Sequence, residues 1–263
     1  MNRYIERDES AEKWDLTPTE KELQQVTSIL INLMQNPLVT DYEQRWRTML
    51  KSHSAVAFTA QTTSRCVVGL GAKGTREIGL RLHHVYGFPI IPGSALKGLA
   101  RAWATFAVAD QLGSANVGID PSEILNIIQQ GSDYKGNAAH KKRVLEGAEI
   151  KDLLYVFGAR EGSGNVIFFD AIPTDPLKLE ADIMNPHHPQ YYDTHGAQSP
   201  ADYESPIPII FLTVAADCPF LFAVAPRHPS DAALLQTAET WLHEGLRTLG
   251  IGAKTTSGYG RFD

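Results

Sequence analysis

Apolar positions along the chain fall into two periodicities that alternate from the amino to the carboxyl end. Val26, Ile29, Leu30 and Leu33 recur at helical spacing, and Pro37 reads as a stop, so residues 1–50 form a helical leader. A β-rich stretch follows. Ala55 to Leu70 places Val56, Phe58, Val67 and Val68 among threonines, and Ile78 to His83 alternates apolar with polar in the manner of a half-buried strand. Pro89 to Pro92 closes that stretch, and Gly93-Ser94 opens a helix to about Ala109 with Leu96, Leu99, Trp103 and Phe106 on its core side.

Residues 111–150 have the pattern of a helical insertion, with Pro121 to Gln130 and Ala138 to Glu149 lying between glycine stops. A second core block resumes at Asp152. Asn165 to Asp170 is a strand after a Gly162-Ser-Gly164 turn, whereas Pro173 to Pro206 is an acidic, proline-punctuated excursion of about 173–206. Ile207 to Ala215 and Phe220 to Ala225 read as a hairpin around Ala216 to Pro219. A last helix begins after Pro229 with Ser230 as N-cap, buries Leu234, Ala238, Trp241, Leu242, Leu246 and Leu249, and ends at Gly250. With the insertions removed, the order approximates a β-α-β-β-α-β unit. The expected architecture is therefore α+β and ferredoxin-like (RRM-like): one domain over 51–263, insertions at about 111–150 and 173–206, and a glycine-rich C-terminal loop.

The bulk numbers exclude several classes. With 263 residues and 43% hydrophobic content the chain can bury a large core. No apolar stretch is long enough to span a bilayer, and the charged start from Met1 to Glu12 has no apolar run behind it, so a cytoplasmic protein is expected. Cys66 and Cys218 stand far apart and outside any Cys-x-x-Cys, which indicates small buried residues. A net charge of -6 argues against a free-standing, sequence-indifferent nucleic-acid binder. The distribution changes that picture. Arg65, Lys73, Arg76, Arg81, Lys97 and Arg101 face Glu77 alone between residues 65 and 101, and Arg247, Lys254 and Arg261 face no acid between 245 and 262. Seven acids face only Lys178 across 170–204. Such segregation fits a polyanion groove on one face.

Two segments carry candidate chemistry. In Leu249-Gly-Ile-Gly-Ala-Lys-Thr-Thr-Ser-Gly-Tyr-Gly-Arg-Phe262, four glycines let backbone amides approach phosphate, Lys254 supplies charge, and Thr255, Thr256 and Ser257 supply hydroxyl donors. Tyr259 can stack on a base or simply pack; a glycine-rich turn feeding an edge strand is the plainer alternative. In Ile91-Pro-Gly-Ser-Ala-Leu-Lys-Gly-Leu-Ala-Arg-Ala-Trp103, Ser94, Lys97 and Arg101 share a helix stripe opposite Leu96, Leu99 and Trp103, with Gly98 beside it. A basic row on a helix whose N-terminus faces outward makes a phosphate cradle; an ordinary solvated helix face is the alternative.

Jointly these segments resemble the RAMP superfamily of CRISPR proteins, whose signatures are a Pro-Gly-Ser-x-x-Lys-Gly helix start and a C-terminal glycine-rich loop. The runs Leu82-His-His-Val-Tyr-Gly-Phe-Pro-Ile-Ile-Pro-Gly-Ser94 and Asn185-Pro-His-His-Pro-Gln-Tyr-Tyr192 extend the likeness to the sixth Cmr-series subunits of type III-B complexes, over roughly residues 54–263. The resemblance implies a non-catalytic RNA-binding subunit in antiviral defence, placed near the guide RNA's 3′ part. It would cap a backbone RAMP subunit of related fold and meet a small helical subunit. Its expected partners are CRISPR guide RNA, target RNA and other Cmr complex subunits, with no membrane, cofactor or metal. Carried to matching positions, Ser94, Lys97, Arg101 and the loop around Lys254 to Tyr259 become RNA contacts; Arg76, Arg81, His84 and Gly252 complete the expected RNA-facing set.

Other motif matches are weaker. Gly69-Leu-Gly71-Ala-Lys-Gly74 satisfies Gly-x-Gly-x-x-Gly but leads into a strand pattern and has no acid about 20 residues on. A Walker loop fails at Ala253. Ser94-Ala-Leu-Lys97, Ser132-Asp133 and Lys254-Thr255 follow the order of a penicillin-recognising serine site, yet Tyr134 and Thr256 replace the expected Asn and Gly. His83 and His84 beside Tyr86 raise a metal-independent RNA endonuclease as the rival function; adjacent strand residues point to opposite faces, which favours one structural and one RNA-facing histidine. His187, His188 and His195 match no familiar zinc spacing. Asp170, Asp193 and Asp202 map onto no nuclease loop.

Overall fold

A computed structural model describes residues 20–71, 79–114, 119–159, 162–184, 197, 199 and 209–263. Seven α-helices are described: α1 (Glu20–Met34), α2 (Pro37–Ser52), α3 (Gly93–Ser114), α4 (Pro121–Gln130), α5 (Ala138–Leu145), α6 (Ala148–Phe157) and α7 (Leu235–Thr248). The strands are β1 (Val56–Gln61), β2 (Gly158–Ala159), β3 (Gly162–Ser163), β4 (Val166–Phe168), β5 (Ile172–Pro173), β6 (Leu179–Met184), β7 (Ile209–Val214) and β8 (Pro219–Pro226). None of the described helices is long and apolar enough to cross a membrane.

The main sheet is antiparallel in the order β1-β8-β4, with β5 also pairing β8. Val56 faces Val224 and Gln61 faces Pro219 on one side of β8; Val166 faces Pro226 and Ile172 faces Leu221 on the other. Phe220 to Ala225 are buried without alternation, as expected of a strand covered on both faces. Helices α3 and α7 pack closely on one another: Gly245 of α7 leaves room for Leu99 and Trp103 of α3, and Leu96, Ala100, Ala104, Ala238, Leu242 and Leu246 are all buried in the same core. At the far edge, Phe262 forms an antiparallel bridge to Thr62, just past β1.

Several expectations are corrected. The first helix does end ahead of Pro37, at Met34, but the chain turns at once into a second: Asn36 caps the Leu38 amide and Pro37 is the first residue of α2, where its missing N–H costs nothing. Helix α2 then joins the body through Leu50, Trp46 and Tyr42. Leu80 to His83 form no strand but an extended segment held by a Leu82–Pro89 bridge, and Ile78 lies outside the described residues. Helix α3 continues to Ser114, and Phe106 is 51% exposed. Helix α3 packs on α4 and α6 as well as on α7, and Val108 and Ala109 are buried in its second half while Phe106 is not.

Asp152 sits inside α6, which is separated from α5 at Glu146-Gly147. The acidic excursion opens with β6, and β6 pairs with β7 in a separate sheet, Leu179 opposite Val214. The β7–β8 hairpin does not form. Instead the chain beyond β1 runs between them: the Thr62 hydroxyl donates to the Ala215 carbonyl at 2.7 Å and accepts from the Cys218 amide at 3.0 Å, and Cys66 bridges Val214. Ser230 is not the cap of the last helix. A 3₁₀ turn over Pro229–Leu234 precedes α7, and the Asp231 carboxylate accepts from the His228 amide.

Candidate nucleic-acid interface

The C-terminal loop is bent by residues with positive φ at Gly250, Gly252, Lys254, Gly258 and Gly260. Its lower part is spoken for by the chain itself. A Cβ on Gly252 would overlap the Val67 carbonyl oxygen, and Ala253 donates to that same oxygen at 2.9 Å. The close approach that the missing Cβ permits at Gly252 is therefore to Val67, while the residue itself is exposed. The apex is different: Thr255–Ser257 form a 3₁₀ turn, Thr256 and Ser257 are exposed, and Gly258 opens onto empty space.

Acids from the excursion brace this loop. Arg65 reaches Glu180 at 2.9 Å and Asp182 at 3.1 Å, and the Tyr259 hydroxyl donates to Asp182. Burial works against the Asp182 carboxylate. Bonds from Tyr259, the Ile183 amide and Arg65 outweigh it and hold the group below its ordinary value. The same bond and partial burial raise Tyr259. Lys254 lies 4.8 Å over the Phe211 ring and 6.0 Å from that of Tyr259. Tyr259 is thus committed through its hydroxyl, and Arg65, one of the cations of the basic stretch, is neutralised.

At the start of α3, the Gly93 amide donates to Asp170 Oδ1 at 2.7 Å, so part of the expected N-terminal cradle is already capped. Gly93 is obligatory because a Cβ would overlap the Phe168 carbonyl. From Ser94 onward the helix presents exposed Ser94, Gly98 and Arg101 and half-buried Lys97. Gly98 has open space where its side chain would be. A glycine inside a helix costs about 1 kcal/mol relative to alanine, and no neighbour in the chain requires this one. Lys97 is held below its ordinary value by burial, then by Arg227 and Arg101. Arg227 follows β8 and donates through Nε to the Gly164 carbonyl at 3.0 Å. Among the described residues, no carboxylate forms an ion pair with Lys97, Arg101 or Arg227. Arg227 carries no motif and enters this ledge only through the β4–β8 pairing.

A backbone ladder links the two segments: Ile90 donates to Arg81, Arg81 to Val68, and Ala253 to Val67. Exposed Arg81 lies on this ladder; Arg76 lies outside the described residues. His83 and His84 sit in a turn, their rings stacked at 5.2 Å and 13°, so they do not point to opposite faces. His83 Nδ1 accepts from the Val85 and Tyr86 amides, each at 3.3 Å, and its ring is held below the ordinary value by desolvation, then by His84. His84 is exposed. His187, His188, His195, Asp193 and Asp202 lie outside the described residues.

The RAMP superfamily profile matches residues 59–263, and the chain belongs to that superfamily. Within it, the chain is 36% identical to the CRISPR system Cmr subunit Cmr6 of Pyrococcus furiosus over 92% of its own length and 77% of that protein's. It is 25% identical to Cmr6 of Saccharolobus solfataricus over 86% of its length, spanning 64% of that relative. The crystal structure of Pyrococcus furiosus Cmr6 superposes with a TM-score of 0.52, covering 79% of this chain and 96% of that one. A chain of the type III-B Cmr-beta complex bound to cognate target RNA gives a TM-score of 0.55 at 22% identity, over 93% of this chain and 72% of that one, and shows the shared fold.

Proposed function

We propose that this chain serves as the Cmr6-type subunit of a type III-B CRISPR effector complex and holds RNA by its sugar-phosphate backbone without cutting it. The observation that carries this reading is the ledge of Lys97, Arg101 and Arg227 around open Gly98, with no carboxylate paired to it among the described residues. Clustered cations of this kind favour a polyanion, and contacts to phosphate suit a guide whose sequence varies. The exposed apex Thr255–Gly258 adds hydroxyl and amide donors to the same role.

The sheet order supports a ferredoxin-like frame: β1, α3, β4, β8 and α7 supply strand, helix, strand, strand and helix, and the Phe262–Thr62 bridge stands where a fourth strand would lie. Placement at the guide's 3′ end, capping a RAMP backbone subunit beside a small helical subunit in the cytoplasm, rests on the likeness to Cmr6. Of the two histidines that a cleavage mechanism would use, His83 has its Nδ1 taken by two amides, which leaves exposed His84 as the one to test.

The test is crosslinking in the reconstituted complex with 4-thiouridine placed singly along the guide. Crosslinks from 3′ positions to peptides containing Lys97 or Arg227 are expected; crosslinks from the 5′ end alone would overturn the placement. Cleavage of repeat RNA by the purified chain in excess chelator, lost in His84→Ala, would overturn the non-catalytic reading.

A further inference from the structure

The cationic ledge has an aromatic neighbour that no motif marks. Tyr155, in the last turn of α6, is 57% exposed, far more than a ring that packs. Its carbonyl accepts from the Asn165 amide at 2.8 Å, and the Asn165 carbonyl accepts from the Arg227 amide at 2.7 Å. The Arg227 guanidinium in turn donates to the Gly164 carbonyl at 3.0 Å, and Gly164 is pressed so closely on the end of α6 that a Cβ there would overlap the Val156 carbonyl. Tyr155 and Arg227 therefore belong to one rigid corner, two backbone hydrogen bonds apart. Helix α3, bearing Lys97 and Arg101, packs on both α6 and β4 beside that corner.

Cations that follow a phosphate rail, with an exposed aromatic ring at their edge, are the two parts of a single-stranded nucleic-acid site. We infer that Tyr155 is a stacking platform for an unpaired base of the RNA whose phosphates lie on Lys97, Arg101 and Arg227. Stacking needs only a π-face, so the contact tolerates any base, as a variable guide or target requires. This inference rests on the RNA-binding reading of the same ledge and adds to it a conformation: one nucleotide of the bound strand is splayed from its neighbours.

The probe is a guide RNA carrying 2-aminopurine at successive positions, bound in the reconstituted complex. One position is expected to show stacking-quenched fluorescence that Tyr155→Ala relieves and Tyr155→Phe preserves, with RNA binding roughly 5- to 100-fold weaker for the alanine variant. Quenching unchanged in Tyr155→Ala, while the triple variant Lys97→Gln, Arg101→Gln, Arg227→Gln loses RNA, overturns the stacking platform alone. A triple variant that keeps full RNA affinity overturns the reading beneath it as well. Loss of a protein subunit from the Tyr155→Ala complex, with quenching intact, assigns the ring to a protein contact and likewise refutes the inference.

Discussion

Two glycines of the candidate site should respond to alanine with opposite signs. At Gly252, φ is +94° and a Cβ would overlap the Val67 carbonyl oxygen that accepts from Ala253. The backbone strain is worth roughly 1–3 kcal/mol, and losing the Ala253 hydrogen bond adds roughly 0.5–1.5 kcal/mol. Gly252→Ala should therefore destabilise by about 2–4 kcal/mol and lower Tm by about 5–15 °C. At Gly98, helical and with open space around it, alanine should stabilise by about 1 kcal/mol and raise Tm by about 2–4 °C. Thermal unfolding by circular dichroism reads both shifts, and amide exchange at Ala253 localises the first. A Gly252→Ala protein that melts within a degree of the parent would show that the loop is not seated on Val67. A Gly98→Ala protein that melts lower would show that the helix face is occupied by the chain itself.

Tyr259→Phe should cost about 1 kcal/mol at neutral pH, at the low end for a bond to a charged group because the Asp182–Arg65 cluster is partly solvated. Asp182 is lowered in the fold, so its share of that difference is lost as pH falls through the carboxylate range. Tyr259 is raised, so its share persists through neutral pH and is lost as pH climbs past the phenol's ordinary value. A cost independent of pH would contradict the pairing. His83 is lowered, so the stability it lends as a neutral acceptor is present above the ordinary imidazole value and lost as pH falls below it. Protection of the Val85 and Tyr86 amides should fall as the ring protonates in the fold, and protection that stays unchanged through acid titration until the whole protein unfolds would refute this role. Burial pushes the Cys66 thiol up to about 12, so iodoacetamide should leave it unlabelled at pH 8 until the protein unfolds; stoichiometric labelling of native protein would contradict its placement.

Local signals in the sequence located most elements and missed where they go. The periodicity of Leu96 and Leu99, the Pro121 and Ala138 helices and the apolar run of β8 were legible because each depends on spacing within one segment. The parting of β7 from β8 was not, since it depends on Thr62, more than 150 residues away, filling the corner at Ala215 and Cys218. Phe106 was misplaced because α3 packs on α4, α6, α7 and β4 together, and no single-helix pattern encodes several partners. At the site, the stripe Ser94, Lys97, Arg101 was visible as a helix face, but Arg227 and Tyr155 reach it only through pairing and packing. The charge count overstated Arg65 and understated the acids, because Glu180, Asp182 and Asp170 are bonded to Arg65, Tyr259 and Gly93.

The most direct test of the cationic ledge is the salt dependence of guide-RNA binding by the complex carrying Lys97→Gln, Arg101→Gln and Arg227→Gln. Each phosphate contact on a single strand contributes about 0.7 to the slope of log K against log salt, so three should make it shallower by about 2. Between 50 and 200 mM salt the parent should then lose roughly 15- to 20-fold more affinity than the variant. A slope within about 0.5 of the parent's would mean that these three cations do not hold the phosphate rail.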